Sequence, residues 1–240
     1  MVIILCDINS FLYIDNQKDE TLLLLHGWGC DYSYMLPFTK TIKFANLLLV
    51  DLPGFGKNEQ LTKPLCLEDY SNCLLVFLKR KNFSPKYIVG HSFGGKLSIL
   101  VASKLKIKAL FLLAPSIFHK TRSLKYYLCV FIYKTLKKFR FPHSILNKFG
   151  SKDYRSLSPV MKKTMSLIIN KDISSELYKL NVPTIVFFGD KDKITPIYLY
   201  KKIKKNTKDS TLIKIKGNHF AYLSNIIFIS NIIEKVLKIK

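Results

Sequence analysis

The stretch that most restricts what this chain can fold into is Tyr87 to Leu97, YIVGHSFGGKL. A strand-forming apolar run, Tyr87-Ile88-Val89, stops at Gly90, then His91-Ser92-Phe93-Gly94-Gly95 follows, and Leu97 to Ala102 continues in helix-compatible residues. A strand that turns straight into a helix brings backbone against backbone. Gly90 and Gly94 stand at the two positions where a side chain would collide with the neighbouring strand or helix. The G-x-S-x-G spacing therefore predicts an elbow that lifts the Ser92 hydroxyl off the end of a sheet. A glycine–serine cluster is also an ordinary turn signal, so the rest of the chain has to decide between a turn and a nucleophile.

Around this stretch, short apolar runs alternate with helical patterns. Leu22 to Leu25, Leu47 to Val50, Ala109 to Leu113, Thr184 to Phe188 and Thr211 to Ile215 read as strands, the first three being continuous enough to be buried on both faces of a sheet. Helices are expected over about 32–43, 67–81, 197–205 and 222–238, and Val2 to Ile8 with Phe11 to Ile14, divided by Asn9-Ser10, reads as an opening hairpin. From 116 to 175 no strand pattern occurs, only helical stretches near 123–138, 144–149 and 159–170. The expected architecture is α/β: a mostly parallel, doubly wound sheet built from 1–115 and 176–240, interrupted by a helical cap insertion at 116–175.

The formal net charge of +23 raises the question of nucleic acid. Residues 1–95 hold nine Lys and Arg against nine Asp and Glu, so the excess lies in 96–240, with thirty basic residues against seven acidic ones. No zinc knuckle, RNP-like string or arginine-rich arm accompanies it, and a solvated basic surface is the expected reading, with no nucleic-acid partner. No apolar run is long enough to span a bilayer, and Val2 to Cys6 is too short for a signal peptide and has no basic residue before it. The five cysteines are scattered and never in C-x-x-C spacing, which fits reduced thiols in a cytoplasmic protein without a metal site.

A serine hydroxyl needs a base to take its proton and usually a carboxylate to orient that base. In an open α/β sheet these groups are delivered at the C-terminal ends of strands. Among the five histidines, His26 lies in a His-Gly-Trp-Gly loop, His91 sits beside the serine where the elbow aims it away from the attack face, and His119 and His143 fall in the insertion. His219 alone follows the last strand and precedes the last helix. The strand 184–188 runs into Gly189-Asp190-Lys191-Asp192, where either aspartate can serve as a cap or loop residue. Asp192 is the better placed of the two to act as the acid. For the oxygen that turns negative during acyl transfer, the expected donors are the backbone N–H groups of Phe93, next to the serine, and Trp28, after the strand 22–25.

The strings LLLLHGWG, VDLPGFGKN, VGHSFGG, FFGDKDKITP and KGNHFAYL, each at a strand end, resemble the α/β-hydrolase superfamily over essentially the whole chain outside the insertion. The resemblance implies Ser92 as nucleophile, Asp192 as acid, His219 as base, Trp28 and Phe93 as oxyanion donors, no cofactor, and a cap that roofs the pocket. Asn218, where glycine is commoner in the family, and Ser224-Asn225, where an acidic residue often stands, are departures.

The expected activity is that of a carboxylesterase-like serine hydrolase cleaving an ester or thioester of a small to medium substrate through an acyl-enzyme. C–C bond hydrolysis and cofactor-free haloperoxidation use the same triad and remain alternatives. A non-catalytic binding protein is a further one, as is peripheral contact with anionic membrane through the basic amphipathic stretch 122–141. The sequence leaves the oligomeric state open.

Overall fold

The computed structural model describes residues 7–118, 152–207 and 209–238, with isolated positions between 131 and 142. Seven strands form one sheet: β1 (Phe11–Ile14), β2 (Thr21–Leu25), β3 (Asn46–Val50), β4 (Tyr87–His91), β5 (Ala109–Leu113), β6 (Thr184–Gly189) and β7 (Ser210–Ile215). Their order across the sheet is β1-β3-β2-β4-β5-β6-β7. Every pair is parallel except β1 with β3.

The continuous leucine runs become the central strands for the reason their composition implies. Residues 22–25 and 47–50 have no exposed surface, and period-two alternation sends their side chains to opposite faces. Leu23, Leu25, Leu48 and Val50 pack with α2 (Leu67–Arg80) and α3 (Phe93–Ala102) on one face. Leu22, Leu24, Leu47 and Leu49 pack on the other with α1 (Pro37–Thr41) and α9 (Ile226–Lys238). After β3 the chain crosses over β2 to form β4, so the strand order reverses between β2 and β4. In open α/β sheets, the loops at the C-terminal ends of the strands diverge at such a point.

Residues 2–6 of the expected opening hairpin lie outside the described residues; residues 7–10 have no regular structure, and β1 pairs with β3, Phe11 opposite Val50. Two expectations are corrected. The expected helix over 32–43 is a 3-10 turn (Tyr32–Met35) followed by α1, with Pro37, which has no N–H to give a preceding turn, at the junction. The closing helix is divided at Asn225 into α8 (Ala221–Ser224) and α9, and the Asn225 amide donates to the carbonyls of Ala221 and Lys216 at 2.7 and 3.0 Å.

Between β5 and β6 the described residues form three helices, α4 (Lys152–Ser156), α5 (Pro159–Ile169) and α6 (Ser174–Lys179). The expected helix over 144–149 and most of that over 123–138, together with His119 and His143, lie outside the described residues. The α4–α6 block is tied to the core by specific bonds. Leu65 N–H donates to Thr164 Oγ1 at 3.1 Å, Lys171 pairs with Glu68 at 2.8 Å, and Lys96 Nζ donates to the Ile168 carbonyl at 2.8 Å. The remaining helix, α7 (Ile197–Asn206), joins β6 to β7. Cys30 and Cys66 are free thiols, but Cys73 is disulfide-bonded, so the reading of all five cysteines as reduced fails there. Sequence spacing carries no information about which sulfurs meet across the fold.

Lys96 sits on α3, only 1% exposed, and burial lowers its pKa to about 8, with Asp172 opposing the shift and Lys171 adding to it. Between that value and the ordinary 10.5 the unfolded chain holds a proton that the folded protein has lost, so this group makes stability rise with pH across the window. Lys96→Met removes the effect. Denaturant titrations at pH 7 and pH 10 are expected to show the wild type gaining about 2–3 kcal/mol on the variant at the higher pH, and a pH-independent difference would refute this.

Candidate active site

Ser92 follows the last residue of β4 and precedes the first turn of α3, with φ 50° and ψ −107°, a backbone conformation an L-residue adopts only when its surroundings enforce it. The surroundings here are hydrogen bonds and contacts. Ser92 N–H donates to Leu113 O at 2.9 Å, and its own carbonyl accepts from Lys96 and Ser116 N–H at 3.0 and 3.2 Å. The flanking glycines permit the approach. A Cβ on Gly90 would lie 2.2 Å from Ser98 Oγ and 2.6 Å from Gly94 O, and one on Gly94 would lie 2.4 Å from His26 O and 2.5 Å from Leu25 O.

The loops after β6 and β7 bring Asp192 and His219 to the serine. The Ser92 hydroxyl is 2.8 Å from His219 Nε2, and His219 Nδ1 is 2.8 Å from Asp192 Oδ2. A carboxylate only accepts, so Nδ1 carries the hydrogen and Nε2 presents its lone pair to the serine. The Asp192 side chain is buried, and three further hydrogen bonds hold it. Oδ1 accepts from the N–H groups of Ile194 and Thr195 at 2.7 and 3.0 Å, and Oδ2 accepts from Thr195 Oγ1 at 2.7 Å. Tyr200 OH donates to Thr195 Oγ1 at 2.8 Å, which leaves the threonine proton for the carboxylate. Burial alone would raise the Asp192 pKa, but the hydrogen bonds from His219 and Thr195 outweigh it and hold the carboxyl below 3.8. Asp190 does different work, accepting the Gly217 N–H at 2.8 Å and so shaping the turn before His219.

Trp28 and Phe93 come from adjacent strand ends, β2 and β4, and their rings meet edge to face at 5.6 Å. Among the described residues neither backbone N–H is given to an acceptor. The Trp28 loop is braced from two sides. His26, fully buried, donates Nδ1–H to Gly27 O at 2.8 Å and accepts Leu52 N–H on Nε2 at 2.9 Å. Asp51 accepts from Ser10 Oγ, Tyr32 N–H and Lys57 N–H at 2.5, 2.7 and 3.0 Å. His91 points behind the serine, with its Nε2 3.0 Å from His219 O. Thr195, Tyr200 and Asp51 are site residues that the sequence reading passed over. A Thr-Pro pair after the aspartate and the Asp-x-Pro-Gly string were the available signals. Among the described residues no group of three His, Cys, Asp or Glu side chains comes together to hold a metal ion.

A serine, a histidine and an aspartate joined in a hydrogen-bonded row at the C-terminal edge of a mostly parallel sheet define a class of fold and site. The model of the alpha/beta hydrolase fold matches residues 20–148, and the chain belongs to that family. Among curated proteins it is similar to "Putative esterase/lipase 2" of Mycoplasma pneumoniae, 32% identical over 44% of this chain and 41% of that protein, so the match spans about two fifths of the relative's length. It is also similar to the pimeloyl-[acyl-carrier protein] methyl ester esterase of Wigglesworthia glossinidia brevipalpis, 23% identical over 95% of this chain and 97% of the relative. Among solved structures, an esterase from Exiguobacterium antarcticum superposes with a TM-score of 0.75 over 95% of both chains at 14% identity, a likeness of fold.

Proposed function

We propose that this protein is a serine hydrolase that cleaves a carboxylic ester or thioester through an acyl-enzyme. The observation that carries the reading is the row Ser92 Oγ, His219 Nε2 and Nδ1, Asp192 Oδ2, with both links at 2.8 Å. In this scheme His219 takes the hydroxyl proton as Ser92 Oγ attacks the carbonyl carbon. The negative oxygen of the tetrahedral intermediate accepts hydrogen bonds from the N–H groups of Trp28 and Phe93. The intermediate collapses as His219 passes its proton to the departing alcohol or thiol. Water, deprotonated by the same histidine, then releases the acid and restores the serine. Asp192 holds the imidazole in the required tautomer and stabilises its charged form.

The names borne by the two sequence relatives support ester cleavage, and a methyl ester on an acyl carrier belongs among the substrates tried. Residues 116–175 are assigned in this reading to a cap over the pocket, supported by the helices α4–α6 between β5 and β6.

A fluorophosphonate probe is expected to modify the folded protein once, at Ser92, as located by peptide mass spectrometry. An acyl-length series of p-nitrophenyl esters and thioesters should then show turnover that the probe abolishes. Absence of an adduct on the folded protein, or an adduct elsewhere with turnover intact, overturns the assignment.

A further inference from the structure

His91 is spent on neither the acid, the base nor the nucleophile, yet it is an imidazole buried to 1% exposure at the end of β4, where a plain aromatic ring would pack. Its ring lies 5.0 Å from those of His219 and Phe220 and 4.7 Å from that of Tyr222. The Nε2 contact to His219 O fixes its tautomer. A carbonyl only accepts, so Nε2 carries the hydrogen and Nδ1 is left with a lone pair. Among the described residues Nδ1 has no donor, and a Cβ added at Gly27 would stand 2.7 Å from it.

A buried acceptor without a partner opposes folding. Phenylalanine would fill the same aromatic box without an orphaned Nδ1, at the cost of the donor to the His219 carbonyl, so packing alone does not account for the imidazole. What the imidazole adds is one N–H, placed on the carbonyl of the residue that carries the base. No other described group donates to that carbonyl.

We propose that His91 is a positioning residue: its Nε2–H, held on the His219 carbonyl, fixes the backbone from which His219 Nε2 is aimed at Ser92 Oγ. This rests on the serine-hydrolase reading of the site. Asp192 holds the His219 ring at Nδ1, and His91 holds the main chain of the same residue, so the imidazole is clamped at two points. Because His91 directly precedes Ser92, the strand end that delivers the nucleophile also sets the base. A displacement of β4 carries both together and conserves the distance between them.

Two substitutions separate positioning from packing. His91→Phe keeps a ring and removes the donor. His91→Gln removes the ring and keeps an amide N–H at about the reach of Nε2. For hydrolysis of a short p-nitrophenyl ester, His91→Phe is expected to lower kcat about 10- to 100-fold, the scale of a misaligned reacting pair, with KM changed less than about twofold. Labelling of Ser92 by fluorophosphonate should slow in parallel, and the denaturant midpoint should change little, because the variant exchanges one unpartnered acceptor, His91 Nδ1, for another, the His219 carbonyl. His91→Gln is expected to recover kcat to within about threefold of the wild type.

Wild-type kcat in His91→Phe, or equal losses in both variants, overturns the proposal. If His91→Phe does not fold, His91→Asn, whose amide falls one bond short, replaces it and must lose what His91→Gln keeps. Equal kcat in the Asn and Gln variants is then the refuting result. A wild-type protein that fluorophosphonate does not label at Ser92 refutes the hydrolase reading itself, whereas normal labelling of both wild type and His91→Phe refutes only the positioning role.

Discussion

Ser92→Ala is expected to lower kcat on a short p-nitrophenyl ester by about a millionfold, and Asp192→Asn by about ten-thousandfold; Ser92→Ala should keep the wild-type stability to within about 1 kcal/mol, and Asp192→Asn should lose about 1–3 kcal/mol. The difference follows from what each removes. On the proposed mechanism no acyl-enzyme forms without the Ser92 hydroxyl, and what is left is the effect of the proposed oxyanion donors and of substrate binding on attack by water. Asparagine at 192 leaves the nucleophile in place, but its amide can turn an N–H toward His219, and the imidazole then loses the tautomer whose Nε2 lone pair faces Ser92.

Thr195 makes this reversal of the amide more costly. Its hydroxyl proton is directed at Oδ2 because Tyr200 occupies the threonine oxygen, and its N–H is directed at Oδ1. The same bonds hold the Asp192 pKa below 3.8, so the stability they contribute is complete above that pH and is lost as pH falls through the lower folded value. Equal activity of Asp192→Asn and wild type at neutral pH would show that the row of hydrogen bonds is not the catalytic one.

The second large effect is on the fold. Gly94→Ala is expected to destabilise the protein by about 3 kcal/mol or more, read as a lowered denaturant midpoint at unchanged slope, and to abolish probe labelling of the fraction that remains folded. The added methyl would lie 2.4 Å from His26 O and 2.5 Å from Leu25 O. Both atoms are backbone, one at the end of a central strand and the other in the loop that carries Trp28, so neither side has a flexible group that can yield. The first turn of α3 must move out, and it takes with it the Phe93 N–H and the strained backbone of Ser92. A midpoint unchanged from wild type would mean that the elbow is not as tightly packed as these distances require.

What the sequence disclosed and what it withheld divide along sequence separation. The elbow was legible because a strand, two glycines and a serine fall within one decapeptide, and the parallel strands were legible because burial on both faces leaves unbroken leucine runs. Other contacts were not legible: the N–H groups of Asn9 and Ser10 donate to Asn58 Oδ1 and the Ser10 hydroxyl donates to Asp51, side chains more than 40 residues away. The support given to Asp192 by Thr195 and Tyr200 was equally hidden. Nothing in Ile194-Thr195-Pro196 states that a tyrosine one helical turn later reaches back to the threonine. His91 was correctly read as aimed away from the attack face, but its contact with His219 spans 128 positions and leaves no local trace.

That span also bears on how the protein comes to exist. Ser92 and His219 are 127 residues apart, and the strands that deliver them are separated in the sheet by β5 and β6, each pair parallel and therefore joined by a long crossover. Parallel pairings between distant segments form late, because loop closure must come first. The proposed nucleophile and oxyanion donors, Ser92, Trp28 and Phe93, precede the proposed acid and base, Asp192 and His219, by about a hundred residues or more. A partly refolded chain in which β7 has not docked thus carries an elbow without its proposed base. On the proposed mechanism, reactivity of Ser92 requires the completed sheet, and its appearance on refolding reports that the sheet has closed up.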